Sequence, residues 1–153
     1  MNTAVAVINT NKIQGTIVAK NISRSMKITA TFTKLPKGKH GFHIHTKGDL
    51  RGEGCKGLCE HYDKGKNSHG GAPSKKNKNR HTGDLGNIQM KKGQTLKRTF
   101  ILPNVKVSEL WGRSIIVHED EDDLGKGPHE DSTITGHSGK RIGCAIFGRA
   151  QCA

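Results

Sequence analysis

Eight short runs of alternating or β-branched residues constrain this chain more than any other feature. They are TAVAVIN (3–9), IQGTIVAK (13–20), KITATFT (27–33), GFHIH (41–45), NIQM (87–90), TLKRTFI (95–101), RSIIVH (113–118) and CAIFGRA (144–150). Turn signals such as TN, LPKGKHG and KKGQ separate many of them. No stretch carries helical periodicity long enough to compete, and there is no internal repeat. Short strands with tight connections pack as two layers, so the chain reads as all-β, a sandwich or flattened barrel of eight strands. Its 153 residues suit one domain, 1–153, and 31% apolar residues with 20 glycines argue against a helical bundle. No run approaches the ~20 apolar residues that cross a bilayer. The opening MNTAVAVINTN lacks a basic region and a long apolar segment, so it reads as strand and the protein as cytoplasmic.

Two connections exceed ordinary turns, from residue 46 to about 80 and from 119 to about 140. Loops this long in a compact domain need a function or something that holds them. Both are rich in Gly, His, Asp and Lys and poor in side chains that could pack. Six histidines and one aspartate coincide with them. His43 and His45 share a strand face, being two apart. His61 and His69 lie in the first loop, His81 and Asp84 form an H-x-x-D where the chain turns extended again, and His118 ends a strand. Imidazole suits copper and zinc, and three imidazoles with one carboxylate make a closed zinc site.

The net charge is +13, and residues 119–153 carry 7 acidic and 4 basic side chains, which leaves +16 on residues 1–118. A basic body suits a small anionic substrate, nucleic acid or another polyanion. The clusters SKKNKNRH and KKGQTLKR contain no aromatics for base stacking and read as solvated loops.

The segments GFHIH, HGGAP, RHTGDLGN, VHEDEDDLGKG and GKRIGCAIFGRAQ, in this order and over nearly the whole chain, resemble the signatures of Cu/Zn superoxide dismutase. The resemblance implies an eight-stranded Greek-key β-barrel, an immunoglobulin-like sandwich, with copper and zinc beneath two functional loops. It implies that His43, His45, His61 and His118 bind copper, that His61, His69, His81 and Asp84 bind zinc, and that His61 bridges the two. The implied activity is antioxidant: superoxide is converted to oxygen and hydrogen peroxide by copper redox cycling, with His61 passing a proton. Asp122 matches a carboxylate that joins a copper ligand to a zinc ligand. Arg141 matches the guanidinium beside the copper, and Glu130, Asp131 and Thr135 match the loop that guides substrate. Ile134 stands where that loop usually carries lysine, with His129 and His137 as unusual neighbours. The His69–His81 spacing is about three residues longer than is usual, an excess within SKKNKN that an outward bulge can absorb.

Cys55 and Cys144 match the intrasubunit disulfide of the same family, although two buried thiols are the plainer reading for an intracellular chain. Cys59 and Cys152 have no matched role and read as free thiols. The family forms homodimers. Here Lys47 stands where an aromatic commonly sits, which weakens that expectation, while Trp111 and Gly112 remain available for contact. The alternative to an enzyme is a copper-handling protein without catalysis, either a chaperone-like domain or a metal store.

Overall fold

The computed structural model describes residues 3–151; Cys152 lies outside them. Nine strands form two antiparallel sheets: β1 (Thr3–Asn9), β2 (Gln14–Ile22), β3 (Ser25–Lys34), β4 (Lys39–His45), β5 (Asp84–Gln89), β6 (Leu96–Pro103), β7 (Ser114–His118), β8 (Arg141–Ile146) and β9 (Gly148–Arg149). One sheet runs β6-β3-β2-β1-β9 and the other β5-β4-β7-β8, a Greek-key order in which β3 pairs with β6 and β4 with β7. Alternation drives the packing. Every second residue of β3 (Met26, Ile28, Ala30 and Phe32) is buried, and with Ala4, Ala6 and Ile8 of β1 in the same sheet they form one core with Phe42, Ile44, Ile115 and Val117 of the other sheet.

The expected count of eight is corrected to nine. The run 144–150 divides at Phe147, which is buried and exchanges backbone hydrogen bonds with Gly112 and Arg113. Residues before it pair with β7, and residues after it pair with β1. The last strand therefore passes from one sheet to the other and ties them together, and a two-residue strand is all that remains beyond the crossing.

β4 and β7 set up the site. Phe42 and Ile44 of β4 point into the core, so His43 and His45 point out of the barrel. They are nonetheless buried, as the whole of β4 from His40 onward is. The two long loops cover that face. The first contains a 3-10 turn at Lys56–Leu58, and the second a single helical turn, α1 (Ser132–Thr135). A disulfide joins Cys55 at the start of the first loop to Cys144 on β8, across 89 residues of chain. Among the described residues no helix is long and apolar enough to cross a membrane.

Candidate metal centre

His61 lies in the first long loop and forms a bridge with His45, so the loop is laid against β4. The His61 ring forms a triangle with those of His43, at 4.1 Å centroid to centroid, and His69, at 5.1 Å, which are 5.3 Å apart. His118 joins from the end of β7, its ring 4.7 Å from His43.

Hydrogen bonds fix which ring nitrogen of each histidine carries a proton. Carbonyl and carboxylate oxygens only accept, so the nitrogen facing them donates. His43 Nε2 donates to Asp122 Oδ2 (2.5 Å), His45 Nδ1 to the Cys59 carbonyl (2.7 Å) and His118 Nδ1 to the Gly139 carbonyl (3.2 Å). His61 Nδ1 donates to Asp84 Oδ1 at 2.9 Å. The opposite nitrogens, His43 Nδ1, His45 Nε2, His61 Nε2 and His118 Nε2, are buried and have no hydrogen-bond partner among the described residues. Buried polar atoms are nearly always paired, and each unpaired one calls for an explanation. The donor atoms of these four residues lie within 4.8 Å of one another. Four converging imidazole lone pairs fit a copper ion.

The second set forms around Asp84, the first residue of β5. Its Oδ2 accepts from the Gly70 amide (2.9 Å) and the His81 amide (2.8 Å), which turns Oδ1 toward three rings. His61 Nδ1 is 2.9 Å from Oδ1, His69 Nδ1 3.0 Å and His81 Nδ1 3.4 Å. His69 Nδ1 is buried and lies off the hydrogen-bond axis. Three Nδ1 atoms around one carboxylate oxygen fit tetrahedral zinc. The ligand atoms of His43, His61, His69 and Asp84 all lie within 4.8 Å of one another, a group without His81, which stands at the partly exposed rim with 14% of its side chain accessible.

Asp122 connects the sets. Oδ2 accepts from His43, and His69 Nε2 donates at 2.8 Å to Oδ1 and 2.9 Å to Oδ2. Gly136, with φ 72°, makes room for this link, since a Cβ there would overlap Asp122 Oδ1 and His69 Nε2.

Protonation follows from the same contacts. Burial holds the imidazolium of His43 and His45 well below the ordinary range, neighbouring rings adding to it, and burial pushes His118 down to about 4. Burial also lowers His61 despite its bond to Asp84. These rings are neutral at pH 7, the state that binds metal. His69 behaves oppositely: burial opposes its charge, but contacts with Asp122 and Asp84 outweigh it and raise its pKa to about 9. Burial works against the Asp84 carboxylate too, yet His61, His69 and His81 hold its pKa well below the usual range.

Arg141, the register partner of His118, sits beside the four imidazoles. Its Nη1 donates to the Cys55 carbonyl (2.9 Å) and its Nη2 to the Cys59 carbonyl (2.6 Å). A cleft lined by His45, His61, His118 and Arg141 opens past Asp131 and Thr135. Asp131 binds His137 Nδ1 at 2.7 Å, and the His137 ring stacks on His129 at 3.6 Å. Glu130 is exposed and lies outside the cleft wall.

Two residues of RHTGDLGN matter more than their reading as motif letters suggested. Arg80 donates to the carbonyls of Gly71, Thr82 and Asp84, closing the loop behind His81. Asn87 on β5 pairs both ways with the Asp122 backbone, at 2.7 and 2.9 Å. The extra residues of SKKNKN loop outward and are exposed; Asn77 anchors them on the Ala72 carbonyl and Asn79 on the Ser68 amide. Cys59 is exposed and, among the described residues, unpaired.

The structure is an all-β sandwich whose buried histidine and aspartate groups could hold metal ions. The copper/zinc superoxide dismutase family model matches residues 13–147. The chain is 41% identical to the Cu-Zn superoxide dismutase of Paramecium bursaria Chlorella virus 1, over 97% of this chain and 79% of that protein. It is 40% identical to Cu-Zn superoxide dismutase 5 of Dictyostelium discoideum, over 94% of this chain and 95% of that one. It is 38% identical to the mouse (Mus musculus) copper chaperone for superoxide dismutase, over 98% of this chain but only 54% of the chaperone. The crystal structure of the clock protein EA4 superposes with a TM-score of 0.86 at 33% identity, covering 96% of this chain and 94% of that one. The chain belongs to the copper/zinc superoxide dismutase family.

Proposed function

We propose that the chain is an active superoxide dismutase in which His43, His45, His61 and His118 hold copper and His61, His69, His81 and Asp84 hold zinc. The observation that carries this reading is the placement of His61, whose Nε2 faces three other unpaired imidazole nitrogens while its Nδ1 faces Asp84. Copper so bound supplies the one-electron chemistry that turns two superoxide anions and two protons into oxygen and hydrogen peroxide, and zinc supplies none. His61 Nε2 is the protein's own proton site beside the reacting anion. Arg141 is charged at any relevant pH, and its seat on the Cys55 and Cys59 carbonyls fixes its remaining donors at the inner end of the cleft. Asp122 keeps the His43 and His69 rings in the tautomers that direct Nδ1 at the metals. Asp131 and Thr135 shape the approach, and Glu130 acts only through the field around it.

The test is metal analysis of purified protein with a superoxide-consumption assay before and after copper loading. Turnover that appears with one copper and one zinc per chain supports the proposal; a fully loaded protein that leaves superoxide to its spontaneous decay refutes it. The kinship with a copper chaperone favours a second reading, a copper-handling domain without catalysis, and that refuting result is the one it predicts.

We further propose a homodimer formed through the shallow surface of Gly48, Leu50, Gly112 and Ile146, with Lys47 exposed at its side. Sedimentation at micromolar protein distinguishes a dimer from a monomer.

A further inference from the structure

The sheet that faces away from the metal sets has an extreme charge distribution. Its strands β1, β2, β3, β6 and β9 carry Lys20, Lys27, Lys34, Lys97, Arg98 and Arg149 and no Asp or Glu. On the outward side, strand registers place Lys20 beside Lys27, Thr29 beside Thr99 and Thr31 beside Lys97. The three lysines are exposed. Among the described residues, none of the three forms an ion pair with a carboxylate.

Like charges directly opposite on neighbouring strands destabilise a sheet. The Lys20–Lys27 pair therefore costs the isolated fold stability, and an anion laid across it removes the repulsion. Lysines with threonine hydroxyls between them are the donor set that proteins direct at phosphate oxygens to hold a nucleic-acid backbone. Phe32 and Phe100 of these strands are buried, so this face offers no ring on which an unpaired base could stack. Nor does it offer the aromatic anchors of a membrane-surface element. A rigid sheet this broad reaches backbone phosphates without reading base edges.

We infer that the outer face of β2, β3 and β6 docks the sugar–phosphate backbone of duplex nucleic acid, without sequence preference. The metal sets lie on the outer side of the opposite sheet, so docking leaves the Arg141 cleft open. The inference is independent of catalysis, because it rests on the far face alone.

The test is a fluorescence-anisotropy titration of a short labelled duplex of arbitrary sequence with the metal-loaded full chain over a range of salt. Binding is expected near 10⁻⁴ to 10⁻⁶ M, roughly the non-specific range, with log affinity falling linearly in log salt. The triple variant Lys20→Gln, Lys27→Gln, Lys97→Gln is expected to flatten that slope by about 3, roughly one unit per phosphate contact, while the melting temperature is no lower than the parent's and superoxide turnover equals that of a charge-matched variant, Lys75→Gln, Lys76→Gln, Lys78→Gln. The charge-matched variant is expected to keep the slope. Equal loss in both triples overturns the inference by reducing it to net charge. Tighter binding to the single strand, binding to anionic vesicles without duplex binding, or no duplex binding also overturns it. Should the first triple fail to fold, Lys27→Gln alone decides, with an expected flattening of about 1 and no change as the contrary result.

Discussion

At His61 two ring nitrogens face two different groups, and the neighbouring rings are locked by what they donate to. His43 and His69 both direct Nε2 at Asp122, so one carboxylate sets two tautomers. An amide cannot accept from both rings on equal terms, because one of its two atoms is itself a donor. Asp122→Asn is therefore expected to lower the affinity of both metal sets about 10- to 100-fold, as read by chelator competition; unchanged affinity would remove Asp122 from this role. His69 gives a pH dependence of known sign in the metal-free protein. Its folded-state pKa is raised to about 9 from an ordinary 6.5, so its imidazolium stabilises the fold. That contribution is fully present below the ordinary value and is lost as pH rises through about 9. The melting temperature of metal-free protein is expected to fall over this window, and zinc added within it to release the His69 proton. Zinc uptake at pH 7.5 without proton release would contradict the assignment.

Among the elements, the strands were legible where one face alternates. TAVAVIN coincides with β1, β2 runs past the sequence reading through the exposed Asn21 and Ile22, and β3 starts earlier, with Ser25 and the buried Met26. The change of sheet at Phe147 was not legible, because it depends on backbone partners at Gly112 and Arg113 that lie far away in sequence. Arg80 and Asn87 were hidden for a similar reason: both act on backbone groups of other segments, and a side chain's type does not reveal a distant carbonyl. The histidines were legible because two loops too long and too polar to pack still had to be ordered. The disulfide takes part in that ordering, since Cys55 also presents the carbonyl that seats Arg141. Replacing Cys55 and Cys144 with Ser is expected to cost about 4–5 kcal/mol by the chain-entropy relation, measured by denaturant unfolding, and to lower turnover as Arg141 loosens. Full turnover in the reduced form would show that Arg141 is held without the bridge.

For the whole molecule, a net charge of +13, with +16 on residues 1–118 and 7 of the 13 acidic residues after residue 118, provides long-range attraction for an anion even with Ile134, rather than a lysine, in the cleft wall. The second-order rate with superoxide is expected to fall steadily as the screening length shrinks from about 30 Å at 0.01 M salt to about 3 Å at 1 M. A flat response would mean that the field does not guide the substrate. The same two-sheet body keeps the metal face and the lysine face apart, each on the outer side of its own sheet. The proposed function depends on one imidazole, His61, being shared between two cations. The most direct measurement loads Cu(II) into the four-imidazole set and paramagnetic Co(II) in place of zinc, then records the copper electron paramagnetic resonance. A shared His61 ring couples the two spins, so the Cu(II) signal is expected to vanish on Co(II) loading and to persist when zinc is used instead. A full-strength Cu(II) signal with both ions bound would contradict the bridge.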